Sequence, residues 1–210
     1  MTGIKICGLK RKEDIEYVNK YMPEYIGFVF AKSRRQVEIE QAKELRSLLK
    51  QEIKTVGVFV NESMEKVVET AILCSLDFIQ LHGDETPEYI CTLKEALESK
   101  NYAKIKIWKA VRVKDEESLK NLHAYNVDTF LLDTFVEGSY GGAGKTFDWN
   151  LAALAKNYGK IVLAGGLTIE NVSNAIKAAE PFAVDISSGV ESEGIKDETK
   201  IRDFINMVRN

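Results

Sequence analysis

The sequence predicts an α/β fold of the (β/α)8 TIM-barrel type, eight parallel strands each followed by a helix, with residues 1–210 forming one domain. Three observations predict it. Short β-branched or aromatic runs alternate eight times with longer segments whose apolar residues recur every three or four positions. The first strand is followed by Cys7-Gly8-Leu9-Lys10-Arg11 rather than by the GxGxxG turn that an open dinucleotide-binding sheet would need. A chain of 210 residues, 45 % of them apolar, can bury one full core but not comfortably two, and it lies near the ~200-residue lower limit for this barrel.

The strand-like runs are Ile4 to Cys7, Tyr25 to Phe30, Thr55 to Val60, Phe78 to Leu81, Ile105 to Val111, Thr129 to Asp133, Ile161 to Ala164 and Ala183 to Ile186. Between them lie amphipathic segments such as Ser63 to Cys74, with Val67, Val68, Ala71 and Ile72 on one stripe, and Ile169 to Ala179. Asn61 and Thr86 are candidate helix caps, Pro87 suits a first turn, and Asp115 precedes Glu116 and Glu117 as a start signal. Parallel neighbours need a crossover, so strict alternation leaves an open sheet or a closed barrel, and eight units favour closure.

The charges, 29 basic and 32 acidic for a net −3, are dispersed, which argues against a nucleic-acid partner. No apolar stretch approaches the ~20 residues of a membrane span, and MTGIKICG does not read as a signal peptide, so a cytoplasmic protein is expected. Cys7, Cys74 and Cys91 show neither disulfide nor metal-ligand spacing. Cys74 and Cys91 are read as small buried hydrophobes. No His, Asp and Glu set has ligand spacing, so no metal is expected.

In such a barrel the chemistry gathers where the strands end. Gly165-Gly166 after strand seven and Ser187-Ser188-Gly189 after strand eight fit a phosphate site, because bare backbone N–H groups can surround a dianion. A helix beginning near Thr168, with Asn171 and Val172, would add its dipole. Cys7 shares its facing with Lys5. Beside a cation it could be an activated thiol, and in a core it would be inert. Lys5 reads better as an ion-pair partner of Asp185 than as a Schiff-base lysine. Asp133 at an apolar strand end is a candidate proton donor or a loop cap. Arg35 offers a fork for a carboxylate or phosphate, and Gln80 and His82 are candidates for orienting a substrate. The segment Gly138 to Thr146 fails the P-loop spacing and reads as a loop that closes over substrate.

Taken together, the strand ends resemble the phosphoribosylanthranilate isomerase family over essentially the whole chain. The motifs are KICGL with Glu13-Asp14, GFVF followed by Ser33-Arg34-Arg35, VGVFVN, QLHGDE, LLDT, GGAGKTFDW, AGGLTIENV and DISSGVE. The resemblance implies an Amadori rearrangement in tryptophan biosynthesis, with no cofactor, since the sugar's own carbonyl equilibrium is the electron sink. It implies Cys7 as general base, Asp133 as general acid, Arg35 on the anthranilate carboxylate, and the glycine and serine turns on the phosphate. One residue fewer than the family commonly has separates Phe30 from Ser33, and Gln36 replaces a frequent aromatic, so Arg34 could share the role of Arg35. The expected partner is a small phosphorylated substrate, and the expected state a monomer, with a homodimer as the alternative. The rival readings are another phosphosugar isomerase barrel, which would favour an aspartate pair and a second phosphate site, and a barrel that binds a phosphorylated metabolite without turnover.

Overall fold

The computed structural model describes residues 1–134 and 149–210; the segment Gly138 to Thr146, read above as a closing loop, lies outside the described residues. Eight parallel strands close in the order β1 to β8: β1 Gly3–Cys7, β2 Tyr25–Val29, β3 Lys54–Phe59, β4 Phe78–Leu81, β5 Lys106–Val113, β6 Thr129–Thr134, β7 Lys160–Leu163 and β8 Ala183–Ile186. Closure is made by β1 against β8, with Lys5 opposite Asp185. All eight predicted runs are strands, within two residues at each end.

The helices are α1 Lys12–Tyr21, α2 Ile39–Leu48, α3 Met64–Leu73, α4 Pro87–Ser99, α5 Trp149–Ala155, α6 Val172–Ala179 and α7 Glu198–Arg209. Two local differences from the sequence reading have physical causes. Ser63, not Asn61, caps α3 by accepting from the Lys66 N–H, because Asn61 takes a left-handed φ of 50° and its Oδ1 accepts the Asp84 N–H instead. Thr86 does cap α4, with Pro87 in the first turn. Between β5 and β6 two short 3-10 turns, Glu116–Leu119 and Leu122–Ala124, replace the expected helix; Asp115 caps the first through the Ser118 N–H.

The period-two alternation sorts the side chains. Ile4, Ile6, Ile26 and Phe28 join the large cluster between barrel and helices, whereas Val56, Trp108, Leu131 and Val162 fill the barrel's inside. Tyr25, Phe78 and Trp108 meet edge-on or tilted, with centroids 5.0 to 5.6 Å apart, and plug its lower end. Polar chemistry is thereby confined to the opposite mouth. Cys74 is buried and its thiol pushed up to about 11 by burial, but Cys91 is exposed on α4, so only one of the two supposed core cysteines is in the core.

Candidate active site

Cys7 ends β1 and Asp133 is the penultimate residue of β6, and both line one small cleft with Gly165, Gly166, Ser187 and Ser188. A larger apolar groove between α3 and α4, lined by Val68, Ile72 and Leu73, carries neither a thiol nor a glycine turn.

The two turns bring bare backbone to the cleft. Gly165 and Gly166 have φ of 80° and 64°, conformations that side chains disfavour, and both line the cleft. Asn171 fastens that turn: its Oδ1 accepts the Thr168 N–H at 2.8 Å and its Nδ2 donates to the Gly166 carbonyl at 2.9 Å. Spending Asn171 in this way delays α6, which begins at Val172 rather than near Thr168. Ser187 opens a 3-10 turn over Ser188–Val190. Gly189 lies outside the cleft lining, pressed so closely on the Leu167 carbonyl that a Cβ would collide, which docks the second turn on the first.

Beneath the cleft Lys5 is wholly buried and holds both oxygens of Asp185, at 3.0 and 2.9 Å. This is the ion pair expected for it. A Cβ on Gly27 would lie 2.6 Å from Cys7 Sγ and 3.2 Å from Lys5 Nζ, so bare backbone at this position admits both groups. The cation beside Cys7 does not depress its pKa: burial pushes the thiol above its ordinary value, and Lys5 and Lys196 offset that only in part. Lys5 itself is penalised by burial, but Asp185 and Cys7 overcome the penalty and raise its pKa.

Asp133 is buried, and His82 Nε2 lies 3.3 Å from its Oδ2, close enough for an electrostatic contact although the angle makes no hydrogen bond. Gln80 is buried below His82, two residues back on the same face, with its Nε2 2.8 Å from His82 Nδ1. It orients the ring rather than reaching the cleft itself. The contact fixes the plane of the ring, whose Nε2 edge faces Asp133.

Arg35 crosses Gly8, where a Cβ would strike its Cδ, and pairs with Glu191 through Nε to Oε1 at 2.6 Å and Nη2 to Oε2 at 2.9 Å. Arg34 Nη2 shares Oε2 at 2.8 Å. Lys196 Nζ donates to Glu191 Oε1 at 2.8 Å and to the Ser187 carbonyl at 2.8 Å, while Ser187 Oγ donates to the Cys7 carbonyl at 3.0 Å. Burial disfavours the Glu191 charge, but Arg35 and Lys196 outweigh it and hold the carboxyl below the usual range. Lys196, pulled below the ordinary lysine value by burial, was missed in the sequence. The only hint of it is the hairpin Glu191-Ser192-Glu193-Gly194-Ile195-Lys196, whose strands β9 Glu191–Ser192 and β10 Ile195–Lys196 bring its ends together.

Residues 4–207 match the family described as N-(5'phosphoribosyl)anthranilate (PRA) isomerase. The chain belongs to that family. The N-(5'-phosphoribosyl)anthranilate isomerase of Acetivibrio thermocellus is 57 % identical over 210 residues, covering 100 % of this chain and 96 % of the relative. A structure of monomers derived from the dimeric isomerase of Thermotoga maritima matches 100 % of this chain and 99 % of its own, with TM-score 0.85 and 38 % identity. An isomerase of this family in complex with reduced 1-(o-carboxyphenylamino)-1-deoxyribulose 5-phosphate matches over the same shares, with TM-score 0.85 and 36 % identity. Among the described residues no helix is long and apolar enough to cross a membrane.

Proposed function

We propose that this member of the isomerase family converts N-(5-phosphoribosyl)anthranilate into 1-(2-carboxyphenylamino)-1-deoxyribulose 5-phosphate. The observation that carries the assignment of roles is that Cys7 and Asp133, remote in sequence, line one cleft with the two glycine and serine turns. In this reading the phosphate rests on Gly165, Gly166, Ser187 and Ser188, with Gly189 setting the turn, and Arg35 pairs with the anthranilate carboxylate.

Asp133 gives its proton to the furanose ring oxygen, the C1′–O bond breaks, and the nitrogen lone pair forms the Schiff base. Cys7, as thiolate, takes the C2′ proton; the C–H electrons form the enolamine, which tautomerises to the ketone. The His82 ring, aligned by Gln80, faces the Asp133 carboxylate once its proton has left. Lys5 and Lys196 are the cations that favour the thiolate against burial. Substrate, anchored at phosphate and carboxylate, places the sugar carbons between acid and base.

The test is the decay of fluorescence of the anthranilate adduct with purified protein, repeated for Cys7→Ser and Asp133→Asn. Both variants are expected to lose turnover by about 10²-fold or more, with phosphate-dependent binding kept. Unchanged turnover in both sinks the acid and base roles. Turnover in neither variant nor wild type, with binding intact, favours the binding-only alternative.

A further inference from the structure

Glu191 gathers three cations on one carboxylate, and Arg35 spends only one edge of its guanidinium there. Nε–H and one Nη2–H meet Glu191, while Nη1 makes no hydrogen bond among the described residues. A guanidinium has five N–H donors in a plane, so the end-on fork, one hydrogen each from Nη1 and Nη2, stays available for a second carboxylate while the first is held. Arg34 is the more exposed of the pair and meets Glu191 through a single nitrogen, so it reads as a brace and not a fork. Lys196 links the same carboxylate to the Ser187 carbonyl, and Ser187 to that of Cys7.

We propose that Glu191 is a positioning residue for substrate recognition: it fixes Arg35 by the side edge so that the opposite edge receives the substrate's carboxylate, and through Lys196 it ties that arginine to the phosphate turn. This rests on the functional reading above. Glu191 touches no reacting atom in it. One rigid carboxylate thereby sets the spacing between the two anchor points of a substrate that carries an anion at each end. Arg35, not Arg34, is the residue that presents the fork.

The experiment measures, by calorimetry, binding of the reduced product analogue and of its phenyl counterpart lacking the carboxylate. Wild type is expected to prefer the carboxylate-bearing compound by about tenfold or more, the range of a charge-assisted hydrogen-bonded pair. Glu191→Gln is expected to lose most of that preference, the ratio of the two affinities falling toward one. Should Glu191→Gln fail to fold, Glu191→Asp keeps the charge but draws the carboxylate back by one methylene, and the same loss of preference is expected. A wild type without preference, equal weakening of both compounds, or an unchanged ratio overturns the proposal. The fluorescence assay reads the reaction separately, so an absence of turnover strikes the functional reading while the ratio still judges Glu191.

Discussion

Two buried glutamates stand just beyond strand ends of this barrel, and their surroundings differ. Glu85 after β4 accepts the backbone N–H groups of Asn61 and Gly83 and pairs with one cation, Lys109, at 2.8 Å. Lys109 also donates to the Gly83 carbonyl at 2.7 Å, so charge and hydrogen bonds balance locally and two loops are clamped to β5. Glu191 after β8 faces Arg34, Arg35 and Lys196, leaving a surplus of positive charge and, among the described residues, unused donors near the cleft. A buried carboxylate balanced by one cation and backbone amides is a structural clamp; one outnumbered by cations leaves a field and a fork for a ligand.

The largest expected effect breaks the clamp. Lys109→Met leaves Glu85 buried without its cation, and urea unfolding is expected to show a loss of about 3–5 kcal/mol, with kcat/KM of the folded protein close to wild type. A stable variant with impaired turnover would erase the distinction between the two glutamates.

Next in size is the influence of the strand-eight group on Cys7. Burial dominates the raised Cys7 pKa, and Lys196 is among the groups that lower it, so Lys196→Met is expected to raise it further. Alkylation by iodoacetamide, followed by peptide mass spectrometry across pH, should then be slower at Cys7 than in wild type at each pH below the thiol's titration. Lys109→Met should leave that rate alone. In both proteins exposed Cys91 should react ahead of the two buried thiols.

The smallest effect is on acid stability. The folded Glu191 pKa lies below its ordinary 4.5, so its contribution is present above 4.5 and drains as pH falls through the folded value. Glu191→Gln should lack that increment, giving a shallower loss of stability in this window. A profile parallel to wild type would mean that the cations around Glu191 do not stabilise its charge.

Much of this arrangement was legible before any fold was built. The period-two runs give all eight barrel strands, though not the hairpin β9–β10, and put Lys5 with Cys7 on the inner face, and the glycine pair and serine turn mark strand ends that line the cleft. The start of α6 and the cap of α3 were misplaced because a single asparagine side chain can serve either a helix or a turn, and the choice depends on neighbours such as Gly166 and Asp84. The missing helix between β5 and β6 likewise shows a start signal, Asp115, satisfied by a single turn.

The sequence by itself determined the closed alternation, the inward facing of Lys5 and Cys7, and the chemical types present at the strand ends, because those follow from periodicity and local backbone preference. Only the tertiary structure decided that the Cys7 pKa is raised despite its cations, and that Arg35 is gripped by a carboxylate 156 residues away. Desolvation and through-space pairing depend on what the folded chain packs around a group, and ring closure brings that environment together from both ends of the molecule.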